Sequence, residues 1–200
     1  ADLGIFIQDQ KKIYFVGIKR LNNPGRGKPA IIGGIMNAKK VLDSGAYTMI
    51  KESWEEAHLE LEYQGDLNEL RENYEIQAIP IITRNFDIIS DEYKFIRTEM
   101  HYVSTIPTTD QERVLDGTKR VYLAVAYAVL FSLPNIDLNI HDLQRIFKAG
   151  DDAAEIFVQN VTEAFQTNAT QGTPKFGLNH HPLLFQKMVL KLLEKEEIWI

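Results

Sequence analysis

Apolar and β-forming residues fill Leu3–Gln8 and Lys12–Lys19 on either side of Asp9-Gln10, a pattern that predicts an antiparallel hairpin. The next stretch, Arg20 to Lys28 (R-L-N-N-P-G-R-G-K), is punctuated by Pro24, Gly25 and Gly27 and predicts a loop. Gly27 to Gly34 (G-K-P-A-I-I-G-G) reads as a short strand closed by two glycines, where a backbone can turn sharply or approach a ligand closely. Lys51 to Leu59 (K-E-S-W-E-E-A-H-L) reads as a helix. At about 100° per residue, Glu52, Glu55 and Glu56 share one sector, while Ile50, Trp54, Ala57 and Leu61 form an opposite stripe expected to pack on the core.

Beyond this helix, Glu62–Tyr74 is polar and acidic, a continued helix or a connecting loop interrupted at Gly65. Ile76–Thr83 predicts a strand, and Pro80 within it favours an edge or bulged position because proline donates no ladder hydrogen bond. Lys94–Ser104 predicts another. Thr118–Leu133 is the most hydrophobic run and suits a strand buried on both faces; its alanines allow a helix, but Val, Tyr and Phe favour the strand. Pro134–Phe147 is a loop with a helical turn at Ile140–Phe147, and Gln166–Gly172 is a polar linker. Leu183–Lys195 is an amphipathic helix with Asn179 as the expected N-cap and Pro182 in the first turn.

At 200 residues, 44% hydrophobic and 25% charged, the chain can bury a sizeable core in one domain. No run reaches the roughly 18 to 20 apolar residues that span a bilayer, and the start A-D-L-G-I-F-I-Q-D carries no signal-peptide pattern. The absence of cysteine excludes disulfides and Cys-ligated metal, and makes the cytosol the simplest compartment. A formal charge of −6 opposes nonspecific binding to nucleic acid, so no nucleic-acid and no membrane partner is expected.

Three glutamates on one helical face repel one another, so the face needs either open solvent or a cation. Both readings stand on the helix alone. Arg26 and Lys28 form either a basic turn or a phosphate contact. Asp151 and Asp152 suit a turn, and His180 and His181 a helix start, with no partner evident for metal binding or nucleophilic catalysis.

Strand, glycine pair, loop and a helix with Glu-x-x-Glu-Glu resemble the Nudix hydrolases, whose box reads G-x5-E-x7-R-E-U-x-E-E-x-G-U, with U apolar. Gly34, Asp43, Lys51, Glu52, Glu55, Glu56, His58 and Leu59 occupy the corresponding places. Here the loop from Gly34 to Asp43 is three residues longer, Asp43 replaces a glutamate, Lys51 the arginine, Ser53 an apolar residue and His58 the closing glycine. Lys148–Glu155 (K-A-G-D-D-A-A-E) resembles the G-D-D-A-x-E segment of the ADP-ribose branch, which includes the Nudix half of bifunctional nicotinamide mononucleotide adenylyltransferases. In that branch the segment precedes the last core strand, here Glu155–Val158. The stretch Lys175–Leu184 resembles the same branch's F-D-H segment.

The resemblance implies one domain over 1–200: a Nudix-like α/β/α sandwich with a mixed central sheet and an insertion at 84–117 that serves as lid, specificity arm or dimer contact. It further implies metal-dependent hydrolysis of a nucleoside diphosphate linked to another moiety, with ADP-ribose split to AMP and ribose 5-phosphate. Mg²⁺, or equally Mn²⁺, would be held by Glu52, Glu55, Glu56 and the Gly34 carbonyl. Lys51 would brace a box glutamate without arginine's rigid fork. The general base would come from Glu56, Asp152 or Glu155, with Glu55 beside it, and Arg26, Lys28 or Arg120 would meet phosphate. Since a β-carbon is costly in a left-handed cap, the helix is expected to run on past His58. The rival readings are a Nudix-like domain that binds nucleotide without cleaving it, and a nucleoside triphosphate pyrophosphohydrolase.

Overall fold

The computed structural model describes residues 1–36, 43–108, 122–166, 170–195, 197 and 198, with the strand backbone at 112–113 and 119–120. In chain order the elements begin with β1 (Asp2–Gln8), β2 (Ile13–Arg20), β3 (Pro29–Ala30), β4 (Ile32–Gly33) and α1 (Gly45–Ala57). Then come β5 (Glu62–Tyr63), α2 (Leu67–Glu72), β6 (Ala78–Thr83), a 3-10 turn at Asp91–Tyr93 and β7 (Ile96–Pro107). The chain continues through β8 (Glu112–Arg113), β9 (Lys119–Arg120), β10 (Leu123–Ser132), α3 (Ile140–Ile146), β11 (Ala153–Asn160), α4 (Thr162–Gln166) and α5 (His181–Glu194).

Nine strands make one mixed sheet in the order β11-β2-β1-β10-β7-β6-β5, with β3 on β2 and β4 on β1. β1 and β10 run parallel at its centre, and every other pairing in it is antiparallel. Period-two side chains divide the core. Leu3, Ile5 and Ile7 of β1 face a layer that includes Met49 and Ala57 of α1, Leu70 of α2 and Leu143 of α3. Phe6 and the small stripe Ala124, Ala126 and Ala128 face α4 and α5 through Phe165, Leu184, Phe185 and Met188. Helices on both faces of a mixed sheet give the expected α/β/α sandwich.

The hairpin forms as patterned. Asp9 Oδ1 accepts the Lys11 and Lys12 N–H groups at 2.8 and 2.7 Å, and its Oδ2 accepts Leu138 N–H at 2.9 Å, so one buried carboxylate fixes both the turn and the approach to α3. Within the segment read as an insertion, β7 lies between β10 and β6 and is an inner strand of the sheet. Pro80, expected at an edge or a bulge, lies in β6, which is second from the edge: it pairs with Glu99 of β7, and the two-residue strand β5 pairs with β6 only at Ile81 and Ile82. Asn179 is not the N-cap of α5: His180 occupies that position and makes no side-chain cap bond. Among the described residues no helix is long and apolar enough to cross a membrane.

The strand expected over Gly27–Gly34 is divided. β1 and β2 pair with each other over Ile5–Gln8 and Ile13–Val16, then part. Into this fork the chain inserts, with β3 on β2 at Ile18 and Lys19, and β4 on β1 at Asp2 and Leu3. Ile31, where the partner changes, gives its N–H to His181 Nδ1 at 3.1 Å.

α1 starts at Ser44, whose Oγ accepts Tyr47 N–H at 3.2 Å and donates to the Leu70 carbonyl at 2.6 Å. It does not run on past His58. That residue takes the left-handed conformation (φ 48°, ψ 33°), its N–H meets the Trp54 carbonyl, and Leu59 N–H reaches back to Ser53, the Schellman closure. The last carbonyls are taken by a second segment: Lys148, Gly150 and Asp151 give their N–H groups to Ala57, Glu56 and Glu55 at 3.1, 3.0 and 3.1 Å. A β-carbon at Gly150 would lie 1.7 Å from the Glu55 carbonyl oxygen, so only glycine permits this approach.

His58 Nδ1 lies 3.1 Å from the Lys148 carbonyl. Replacement by alanine or glycine forfeits that contact equally, but glycine alone relieves the left-handed backbone. His58→Gly is therefore expected to be more stable than His58→Ala by about 1 kcal/mol in chemical denaturation.

Candidate active site

The helix buries a sector turned by about one residue position, roughly 100°, from the one its apolar residues suggest. Ala46, Met49, Ser53, Glu56 and Ala57 face the protein. Trp54, expected in the core, is 52% exposed and packs edge-on against the His58 ring, 5.1 Å between centroids. The rotation carries the acidic sector to the margin of the buried face. Glu56 is 6% exposed, the Glu52 side chain 15% and the Glu55 side chain 42%.

Each glutamate thereby acquires a different setting. Glu56 Oε2 accepts Gly33 N–H at 2.9 Å, so the glycine pair contributes a donor. Gly34 lies so near the Glu52 carboxyl that a β-carbon there would be 2.1 Å from it. Its carbonyl accepts the Ala1 amine at 2.7 Å. Glu55 Oε2 pairs with Lys51 Nζ at 3.0 Å along the helix, and the same ammonium stands 4.0 Å from Glu52.

Burial pushes the Glu56 pKa up to about 8; the Gly33 hydrogen bond and Arg20 oppose the rise, and the charges of Glu52 and Asp152 add to it. Glu52 is raised by the same cause, with Lys51 opposing and Glu55 and Asp152 adding. Two partly buried carboxylates whose anionic forms are disfavoured demand either protons or a cation.

Asp152 therefore acts on both glutamates, although it lies on another element. It is positioned by Asn22 Nδ2, which donates to its Oδ1 at 3.2 Å, and by Leu21 N–H, which donates to its carbonyl at 3.1 Å. Glu155 is set apart from this group: on β11 it forms an exposed cross-strand pair with Lys19 of β2. Arg26 and Lys28 are exposed on the turn, and the side chain of Arg120 lies outside the described residues. Arg20, expected at the start of a loop, closes β2 and is the cation whose charge bears on Glu56, and its Nε is buried without a hydrogen-bond partner. A charged residue closing an apolar strand was its one sequence signal.

Among the described residues, the three glutamate carboxylates are not drawn within 4.8 Å of one another, whereas Asp2, His180 and His181 are. That second cluster is poorly suited to metal. His181 Nδ1 accepts a backbone N–H, which leaves the proton on Nε2, the nitrogen facing the cluster. A metal-bound imidazole does the reverse, donating from its distal nitrogen.

No protein-family model and no curated protein matches the chain. Solved structures do. The Nudix domain of Shewanella oneidensis NrtR, in complex with ADP-ribose, aligns with a TM-score of 0.52 at 12% identity over 96% of this chain and 85% of that one. A MutT/Nudix family protein from Enterococcus faecalis aligns at 0.53 and 16% over 96% of this chain. Shewanella oneidensis NrtR with a 27mer DNA aligns at 0.52 and 13% over 97%. The chain spans 61% of each of these last two proteins. Agreement at this depth of identity concerns architecture, and the chain has the fold of the Nudix domains.

Proposed function

We propose that this chain hydrolyses the pyrophosphate bond of a nucleoside diphosphate joined to a second moiety, with ADP-ribose as the substrate and AMP and ribose 5-phosphate as the products. The observation that carries the reading is the pair Glu52 and Glu56, sunk against the Gly33-Gly34 backbone with Glu56 held at a pKa of about 8. Such a pair fits a hard divalent cation, Mg²⁺ or Mn²⁺, which takes oxygen ligands from a few carboxylates and completes its shell with water and phosphate. When bound, that cation would neutralise the phosphate oxygens and lower the pKa of its water.

Glu52 and Glu56 would hold the cation, with Glu55, steadied by Lys51, beside them. The Gly34 carbonyl would be a further ligand. Gly33 N–H fixes one Glu56 oxygen, and the other would hold the cation. Asp152 serves as the general base, since the amides of Gly150 and Asp151 on the α1 carbonyls bring it beside the glutamates, and Glu155 is left a surface role. Arg20 balances the carboxylates, and Arg26, Lys28 and Arg120 meet the substrate's phosphates.

A second reading, nucleotide binding without cleavage, draws on the spread of the three carboxylates and on the Lys51–Glu55 pair that holds one of them outward. Calorimetry separates the two, because a binder takes up ADP-ribose with no divalent cation and no turnover.

Incubation with ADP-ribose and Mg²⁺ is expected to release AMP. Glu56→Gln should lower kcat by about 100-fold or more, whereas Glu155→Gln should leave it unchanged; absence of AMP, with Glu56→Gln indistinguishable from the parent, would count against hydrolysis. The ionisation of Glu56 gives a second check. Its folded pKa of about 8 lies above the unfolded value of about 4.3, so across that window the folded state holds a proton the unfolded chain has released. Stability is therefore highest below the window and declines as pH rises through it. In thermal melts without divalent cation, Glu56→Gln should gain on the parent between about pH 5 and about pH 9. Saturating Mn²⁺ should restore the parent at the upper end.

A further inference from the structure

The fork between β1 and β2 leaves one donor that no strand can take. β3 belongs to β2 and β4 belongs to β1, and Ile31 stands between them with its N–H buried among side chains. An unpaired buried N–H is rare in native proteins because its desolvation is not recovered. Here the acceptor comes from a distant part of the chain: His181 Nδ1, at the first turn of α5, at 3.1 Å.

The other face of the ring is as well defined. His181 is 1% exposed, and its Nε2 lies 3.3 Å from Asp2 Oδ1. Asp2 is the residue of β1 opposite Gly33 in the β1–β4 ladder, and a β-carbon on Gly33 would come within 2.8 Å of that same Oδ1. The imidazole thus touches the inserted segment at Ile31 and, through Asp2, the strand that pairs with Gly33. Gly33 N–H then meets Glu56 Oε2 at 2.9 Å. The contact with Asp2 is long for a hydrogen bond, yet it places the carboxylate beside the proton-bearing nitrogen that the Ile31 bond dictates. Burial lowers the His181 pKa against the opposing pull of Asp2, in keeping with a neutral ring.

We propose that His181 is a positioning residue for the carboxylate site: by accepting Ile31 N–H and abutting Asp2, it holds residues 31–33 so that Gly33 N–H is presented to Glu56. The inference rests on the functional reading above only in its consequence for cation binding. The clamp itself is a matter of backbone placement and is testable without metal.

The Gly33 amide proton reports the clamp directly, since its hydrogen bond to the Glu56 carboxyl oxygen moves its NMR resonance downfield. In His181→Leu that resonance should move upfield, towards its position in Glu56→Leu, which has no acceptor for it, and Mn²⁺ affinity measured by calorimetry should fall roughly tenfold. His181→Asn, whose Oδ1 takes the place of Nδ1, should recover both; loss of general stability alone would not be reversed in this selective way. A folded His181→Leu protein with an unmoved Gly33 resonance would overturn the proposal. Should that variant not fold, ¹⁵N spectra of the parent decide: an unprotonated Nδ1 and protonated Nε2 on His181 are expected, and a ring protonated on Nδ1 would overturn it. A parent protein that binds no Mn²⁺ counts against the proposed hydrolysis, while the Gly33 and His181 resonances still judge the clamp.

Discussion

Glu56 is buried and accepts a backbone hydrogen bond from Gly33, and this contact sets the terms for the rest of the structure around it. A carboxylate placed there costs stability when ionised and without a partner. The fold accepts that cost where α1, the glycine pair and the loop carrying Asp152 converge, a pattern more typical of sites than of scaffolds. A helix rotated to bury Trp54 would have spared the carboxylate and abolished the cluster.

The rotation is held from both ends. At the start, Ser44 joins α1 to α2 through the Leu70 carbonyl, and Tyr127 of β10, its pKa pushed up to about 12 by burial, takes a hydrogen bond from the Ala46 backbone. At the finish, three amides of the 148–151 segment occupy the carbonyls of Glu55, Glu56 and Ala57. These bonds do double duty: they satisfy a helix terminus, and they bring Asp152 to the side of the helix that carries Glu52 and Glu56. Closure by His58 rather than glycine is tolerated because its ring reaches Lys148, while Asn85 Nδ2 donates to the His58 carbonyl at 2.8 Å.

Much of the architecture was legible in the residue pattern. The hairpin, the central strand within Thr118–Leu133, the turn of helix after Pro134 and the terminal helix all follow from period and punctuation. The acidic sector of α1 was legible too, together with Gly33 and Gly34. What could not be read was orientation. Trp54 is the largest side chain on the helix, and a periodicity argument draws it inward; the protein instead buries the smaller Ala46, Met49, Ser53 and Ala57. Nor could sequence pair Asp2 with His181, or Ile31 with the same ring, because nothing local distinguishes a histidine at a helix start from one that completes a split strand. Glu155 and Asp152 look alike on paper, and only strand pairing sends one to Lys19 and leaves the other beside the helix.

The parallel ladder at the centre of the sheet has a consequence for how the molecule assembles. Asp2 lies opposite Ala126 and Gln8 opposite Ser132, so the first strand must wait for a partner made from the far half of the chain. The β1–β2 hairpin is able to close early, but the apolar face it presents stays uncovered until β10 arrives. Contacts of such sequence separation slow folding, since the entropy of closing the loop is lost before the pairing rewards it. On the ribosome, this hairpin emerges long before the strand that completes it, and during that interval its exposed edge is open to mispairing.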